Sequence, residues 1–486
     1  MSGHMSDYPG KSFDLAWREA LAPSAWRNPV PKDKYHLVVV GAGPAGLIAA
    51  MGAAGLGARV ALVERHLMGG DCLNVGCVPS KALLEFTRHH PKADFASAFA
   101  WMREVRAGIA PHDSVERYSA AGVDVFLGEA TFEDGRTVRV GETLLHARRI
   151  AICTGASPAI PPIPGLREAQ PLTNESIFDL QMLPPTLAIL GAGAIGCEMA
   201  QVFARLGSRV HLFEMAPRVL PLESERASAT LAGAMTGLGI ELHVGAAVSK
   251  VSQESGLVIH VGDQPFAVDE VLVALGRRPN TTGLALDRAA VRADPQGFIQ
   301  VDKRLRTSNK RIYAAGDCSS RVQFTHHADA QARVLIQNAL FAPTARGDRL
   351  IVPHCTYTQP EVASVGLTAE VMLANGQAFD TYSISFDELD RGRAEPFPGG
   401  YAEVFTTKGS DHILGASIVG PDAGEQIATV VMLMSQGRGL SAADRTIFAY
   451  PTRSEYLKRL AGAYGRTRLT PRVADIMRRW FRYTGG

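Results

Sequence analysis

The sequence predicts an α/β fold made of two Rossmann-like units and a further α/β part near the C-terminal end. Three observations carry that prediction. Apolar, β-branched runs alternate with alanine-rich stretches of helical period. A GxGxxG turn stands between such a run and such a stretch twice over, and an alternating strand pattern, YAEVFTTK, returns late in the chain beside the helical stretch QIATVVMLMSQG.

With 486 residues the chain holds more than one ordinary domain. An apolar fraction of 46%, a charged fraction of 20% and 48 glycines describe a folded α/β protein rather than a fibrous or disordered one. A net charge of +2 gives no reason to expect a nucleic-acid partner. Six cysteines are too few for a secreted disulfide framework, so a reducing, cytoplasmic setting is expected. The opening MSGHMSDYPG shows no signal-peptide pattern, and Met1–Met5 reads as an expression remnant. A hydropathy window flags Leu37–Val63, but its glycines recur where a phosphate-binding turn needs them, which argues against a membrane span.

The stretch HLVVVGAGPAGLIAAMGAAGLGARVALVER is a complete βαβ unit. Gly41 permits the tight turn, Gly43 lets the backbone approach a pyrophosphate, and Gly46 lets helix and strand pack closely. Glu64 ends the second strand, where a carboxylate can accept from a ribose hydroxyl pair. The pattern returns in TLAILGAGAIGCEMAQVFARLGSRVHLFE, with Gly191, Gly193, Gly196 and Glu214 in the same roles. Two dinucleotides are therefore expected. Asp317, in RIYAAGDC, falls at a strand end suited to hydrogen-bonding a polar cofactor chain.

Only the first unit runs directly into cysteines. GGDCLNVGCVPSKALLE places Cys72 and Cys77 five positions apart at the start of an expected helix, whose N-terminus stabilises thiolate. Two nearby thiols can close a disulfide and so store two electrons. No second Cys or His cluster has zinc-site spacing, so no metal site is expected. Cys153, Cys197, Cys318 and Cys355 read as packing residues.

These motifs, with ICTGA, ALGRRPN, THHADAQAR and YTQPEVASVGLT, resemble those of the flavin-dependent pyridine-nucleotide disulfide oxidoreductases. That family includes dihydrolipoamide dehydrogenase, glutathione reductase and mercuric reductase, and the resemblance covers Tyr35 to Ala463. It implies FAD held by Gly41, Gly43, Pro44, Ala45, Gly46, Glu64, Gly70, Asp71, Lys81, Thr154, Gly155 and Asp317. The nicotinamide nucleotide falls to Gly191, Gly193, Gly196, Glu214 and Gly276. Cys77 would face the flavin and Cys72 the substrate, with Lys81 paired to Glu198 near the flavin. Glu214 accepts from a free 2′-hydroxyl and repels a 2′-phosphate, so NAD(H) is expected over NADP(H), with Arg218 a minor counterweight.

The resemblance also implies the domain order. An N-terminal extension (1–33) is followed by an FAD domain (34–160 and 276–345), a NAD(P) domain (161–275), an α/β dimerisation domain (346–465) and a basic amphipathic helix (466–486). A homodimer is implied, because family sites draw on both subunits. Where lipoamide- and glutathione-reducing relatives carry His-Pro-Thr-x-x-Glu, this chain reads YPTRSE, so Tyr450 stands in the place of the histidine and Glu455 is kept. A phenol is a poor base near neutrality. The change resembles mercuric reductase, although the C-terminal cysteine pair of that enzyme has no counterpart in RRWFRYTGG. The expected electron acceptor is a small disulfide or thiol compound or a soft metal ion, with transhydrogenase or redox-sensing roles as alternatives. In the last helix Thr470 caps, Pro471 follows, and Arg472, Arg478, Arg479 and Arg482 flank an apolar face, which suggests weak contact with a membrane surface.

Overall fold

The computed structural model describes residues 8–253 and 256–485, and these group into two compact units. The proposed remnant Met1–Met5 lies outside the described residues. The first unit takes in residues up to 191, together with 199–215 and 239–350; the second takes in 192–198, 216–238 and 351 onward.

In the first unit, helix α1 (Lys11–Leu21) precedes strand β1 (Tyr35–Val40), helix α2 (Pro44–Gly55) and strand β2 (Val60–Glu64). Strands β1 and β2 pair in parallel with Leu37 opposite Val60, and the helix between them closes the expected βαβ unit. Both strands are almost wholly buried, which is why they read as unbroken apolar runs rather than alternating ones. Helix α3 (Gly70–Asn74), helix α4 (Cys77–His89) and helix α5 (Phe95–Ile109) follow before the chain returns to the sheet as β3 (Val123–Leu127), parallel to β2. On the other side of β1 lie a parallel strand, β4 (Thr143–Ile152), and beyond it the short strand Ile312–Ala314. That distant segment explains how Asp317 reaches this sheet.

The second GxGxxG also stands in a βαβ unit. Thr186–Leu190 pairs in parallel with Arg209–Glu214, and the helix Ala194–Leu206 connects them. A built Cβ on Gly46 would fall 1.8 Å from the Gly41 carbonyl oxygen and 3.3 Å from Val39 Cγ1, so helix α2 sits too close to the turn and strand β1 for any side chain here.

The second unit contains a five-stranded antiparallel sheet, in the order His354–Thr356, Glu361–Gly366, Ile413–Gly420, Tyr401–Thr407 and Phe379–Ser385. Helices Ala423–Ser435 and Tyr456–Thr467 bury Ile427, Val430, Leu457 and Leu460 in its core. The expected strand and helix of this region are both present. The last helix, Pro471–Thr484, has the predicted cap, with Thr470 Oγ1 accepting from Val473 N at 3.4 Å, and no buried residue. No helix among the described residues is long and apolar enough to cross a membrane.

Because the obstacle to a side chain at Gly46 is backbone, the turn cannot yield by a rotamer change. Gly46→Ala should destabilise the chain by about 1–3 kcal/mol, seen as a lowered Tm. A Tm equal to that of the parent would contradict the packing described.

Candidate functional site

The two cysteines do not share a helix, which corrects the expectation from sequence. Cys72 lies in α3, and the backbone leaves helical geometry at Val75 (φ −144°, ψ 23°) and Gly76 (φ −140°, ψ −114°) before α4 begins at Cys77. The interruption places Cys77 at the N-terminus of a 13-residue helix, where the dipole favours thiolate. Cys77 is exposed and Cys72 half-buried. Their thiols are hydrogen-bonded to each other, and Thr325 Oγ1 lies 3.4 Å from Cys77 Sγ. The hydrogen bond to Cys77, followed by burial, pushes the Cys72 thiol well above its ordinary pKa, while Thr325 pulls it down. The helix N-terminus at Cys77 and the partial burial of Cys72 together favour thiolate at Cys77. Lys81 follows one helical turn later, on the same face of α4.

The nucleotide turn abuts this loop. A Cβ on Gly70 would meet Gly43 Cα at 2.5 Å, so Gly41, Gly43, Pro44, Ala45, Gly46 and Gly70 converge where α2 begins. Helix α2 opens at Gly43 with no side-chain cap, leaving first-turn N–H groups for phosphate oxygens. Glu64 accepts from Ala42 N at 2.7 Å and His66 N at 2.9 Å, which fixes its carboxylate at the end of β2; burial nevertheless raises its pKa. These features fit an FAD pyrophosphate and ribose.

Asp71 and Asp317 are drawn together by Arg277, a residue not singled out from the sequence, and Thr154, Gly155 and Gly276 flank the two paired strands beside it. Its guanidinium donates to Asp71 Oδ2 and to the Ala156 carbonyl, and its Nε lies 3.7 Å from Asp317 Oδ2. Strands Ala156–Pro158 and Arg277–Pro279 pair beside it, with Thr154 Oγ1 donating to Asn280 O at 2.7 Å. Burial raises the Asp317 pKa and Arg277 opposes the rise.

For the second nucleotide, Gly191 and Glu214 end parallel neighbouring strands of the first unit, while Gly193 and Gly196 fall at the start of the connecting helix. Arg218, in the second unit, spends its guanidinium on its own loop, donating to Pro221 O at 3.3 Å and Glu223 O at 3.1 Å. In the same unit the buried Glu198 accepts from Tyr357 N at 3.0 Å. Tyr450 is 70% exposed and donates to Asp390 Oδ2 at 2.6 Å, a bond that raises its pKa further and makes it a still weaker acid. Glu455 accepts from Arg459 Nε at 3.0 Å.

Of the cysteines read as packing residues, Cys153, Cys197 and Cys318 are buried and Cys355 is half-buried. Among the described residues one group has the makings of a metal site, His211, Glu241 and His243, on adjacent parallel strands. The two rings are 20° from parallel with centroids 5.5 Å apart, and His211 Nδ1 is 3.2 Å from His243 Nε2. Nitrogen faces nitrogen edge to edge, the arrangement of a shared proton. His211 Nδ1 also lies 3.3 Å from Glu241 Oε2. Sequence spacing hid this group because Glu241 follows His211 by 30 positions, on a separate strand.

The chain matches the pyridine nucleotide-disulphide oxidoreductase family over residues 35–332 and the dimerisation domain of that family over residues 352–461. It is similar to mercuric reductase of Staphylococcus aureus, 32% identical with 87% of this chain and 81% of the relative aligned. It is also similar to dihydrolipoyl dehydrogenase of Thermus scotoductus, 33% identical over 88% and 97%. Among solved structures it resembles the HOCl-induced flavoprotein disulfide reductase RclA of Escherichia coli, with a TM-score of 0.82 and 31% identity over 88% of this chain and 99% of that one. RclA has also been solved as a Cu(II) complex. The chain is an FAD- and pyridine-nucleotide-dependent enzyme of a class that acts on sulfur groups, and it belongs to the pyridine nucleotide-disulphide oxidoreductase family.

Thr325 gives a local test of the thiol electrostatics. Removing its hydroxyl in Thr325→Val should raise the pH midpoint for alkylation of the pair by about half a unit to one unit, the worth of one hydrogen bond. An unchanged midpoint would show that the 3.4 Å contact does not support the thiolate.

Proposed function

We propose that NADH is the reductant of a Cys72–Cys77 disulfide and that the resulting dithiol reduces a small disulfide or a soft metal ion. The observation that carries this reading is the hydrogen-bonded thiol pair beside the first nucleotide turn, with one thiol exposed at a helix N-terminus. When bound, FAD supplies the two-electron chemistry between nicotinamide and cysteines. The chain's own residues do the rest. Gly43, Pro44, Ala45, Glu64 and Asp317 would hold the cofactor, and Lys81 would bring a positive charge beside it. Gly191, Gly193, Gly196, Gly276 and Glu214 hold the nicotinamide nucleotide.

With a disulfide substrate, Cys72 passes its proton to the hydrogen-bonded Cys77 thiolate and attacks one substrate sulfur, expelling the other as a thiolate that takes the proton back from Cys77. Cys77 then attacks Cys72 Sγ, releases the second substrate thiol and restores the Cys72–Cys77 disulfide. Tyr450 replaces the imidazole that eases the first attack in relatives, and its hydroxyl is already committed to Asp390. That substitution favours an acceptor needing no general base, such as a soft metal ion held by two thiolates. Mercuric reductases among the relatives and a copper complex of RclA make Hg(II) and Cu(II) the first ions to try.

The same reading makes the enzyme a cytoplasmic homodimer joined through residues 352–461 and divides the chain into the FAD, NAD(P) and dimerisation domains set out above. It also gives the helix Pro471–Thr484, with exposed Ile476, Met477, Trp480 and Phe481 among arginines, a weak contact with anionic lipid, which vesicle co-sedimentation tests.

Anaerobic titration of the holoenzyme should consume about two equivalents of NADH and develop a long-wavelength band between thiolate and flavin. One equivalent and no band would favour a simple flavin reductase. In the same enzyme kcat/KM for NADH should exceed that for NADPH by at least about tenfold, because Glu214 repels a 2′-phosphate and Arg218 is occupied; Glu214→Arg should narrow the ratio.

A further inference from the structure

Helix α1 precedes the family match, which begins at residue 35, yet it buries Asp14, Trp17 and Leu21. One of these side chains reaches the redox loop directly, and a second acts through an arginine. Trp17 Nε1 donates to Asn74 Oδ1 at 2.8 Å, and Asn74 lies between the two cysteines. The Asn74 amide in turn donates to Met68 O at 3.0 Å. Arg106, the largest fully buried side chain, stands behind this contact. Its Nη1 donates to the main-chain oxygen of Asn74 at 3.1 Å, and its Nη2 donates to Asp14 Oδ1 at 2.7 Å. The guanidinium lies over the Trp17 ring, 3.7 Å from its centroid. Asp14 Oδ2 takes a second guanidinium, Arg103, at 3.2 Å.

An apolar side chain would anchor a surface helix with less desolvation than a buried arginine and carboxylate do. Here the polar groups converge on one residue: the side-chain oxygen and the main-chain oxygen of Asn74 are both held, the first by α1 itself and the second by the arginine α1 neutralises. Cys72 and Cys77 can form and break their bond only if the four residues between them keep the sulfurs in reach. Fixing the central residue lowers the conformational entropy lost on closure.

We propose that α1 is a positioning element for the redox pair, in which Trp17, Asp14 and Arg106 clamp Asn74 and so raise the effective concentration of each thiol toward the other. The inference rests on the redox role proposed for Cys72 and Cys77. Releasing the clamp disfavours the disulfide relative to the dithiol and leaves the cofactor-binding turn untouched.

The test uses the full-length holoenzyme equilibrated in glutathione redox buffers, in which two glutathione thiols reduce the protein disulfide and leave as glutathione disulfide. The fraction oxidised is read by rapid alkylation and mass spectrometry. Trp17→Phe keeps the ring and deletes the donor, and Asp14→Asn keeps the shape and deletes the charge. Each should shift the equilibrium toward dithiol by about threefold to tenfold, the range one hydrogen bond supports, tenfold being about 30 mV for a two-electron couple. Leu21→Ala weakens the packing of the same helix without touching Asn74 and should lower Tm while leaving the equilibrium in place. Either unchanged equilibria in both clamp variants or an equal shift in Leu21→Ala would overturn the proposal while leaving the redox role standing. If the parent enzyme itself shows no Cys72–Cys77 disulfide at any buffer ratio, the redox role fails and the clamp falls with it.

Discussion

Two thiols exchange a bond with each other only while their sulfurs stay within reach, and the loop that carries Cys72 and Cys77 is held to that condition from several sides. Arg277 takes Asp71 at its start, Asn174 Nδ2 donates to Val75 O at 3.2 Å near its end, and Trp17 and Arg106 hold Asn74 in the middle. The nucleotide turn presses on it at Gly43 and Gly70. Local helix propensity does not account for this conformation: α3 is five residues long and ends at a β-branched residue and a glycine. Tertiary hydrogen bonds do.

The charge arrangement follows from the same constraint. A thiol at the start of α4 gains from the helix dipole, whereas one in the preceding short helix gains little and is partly buried. The placement therefore favours thiolate at Cys77 over Cys72. An asymmetric pair of this kind separates two tasks, contact with an electron-donating ring and attack on a substrate, that a symmetric pair would confuse. Tyr450, exposed and bound to Asp390, is a poorer base near neutrality than the imidazole it replaces, which is the reason for ranking soft metal ions first among the proposed acceptors.

Much of this was legible in the sequence because the nucleotide-binding units are local: strand, GxGxxG, helix and acidic strand end occupy some 30 consecutive residues, and the third glycine of the first turn answers to a contact within that span. Gly46 against the Gly41 carbonyl is such a contact. The cysteine spacing was equally plain, but its backbone was not, since one helix with both cysteines and two helices with a break satisfy the same pattern. What stayed hidden was long-range. Arg277, Thr325, Trp17 and Arg106 meet the loop from 32 to 248 residues away, and nothing in local periodicity announces such partners. The His211–His243 pair was hidden for the same reason. A motif such as ALGRRPN pointed at Arg277 only as part of a string, not as the residue that joins Asp71 to Asp317.

The central claim is that Cys72 and Cys77, and no other cysteines of this chain, store the electrons that NADH delivers. The most direct measurement is a count of free thiols in the denatured holoenzyme, taken under anaerobic conditions before and after addition of excess NADH. The account predicts that four of the six cysteines react before reduction and all six after, the two gained being Cys72 and Cys77 by peptide mapping. An unchanged count, or a gain that maps to Cys153, Cys197, Cys318 or Cys355, would contradict it.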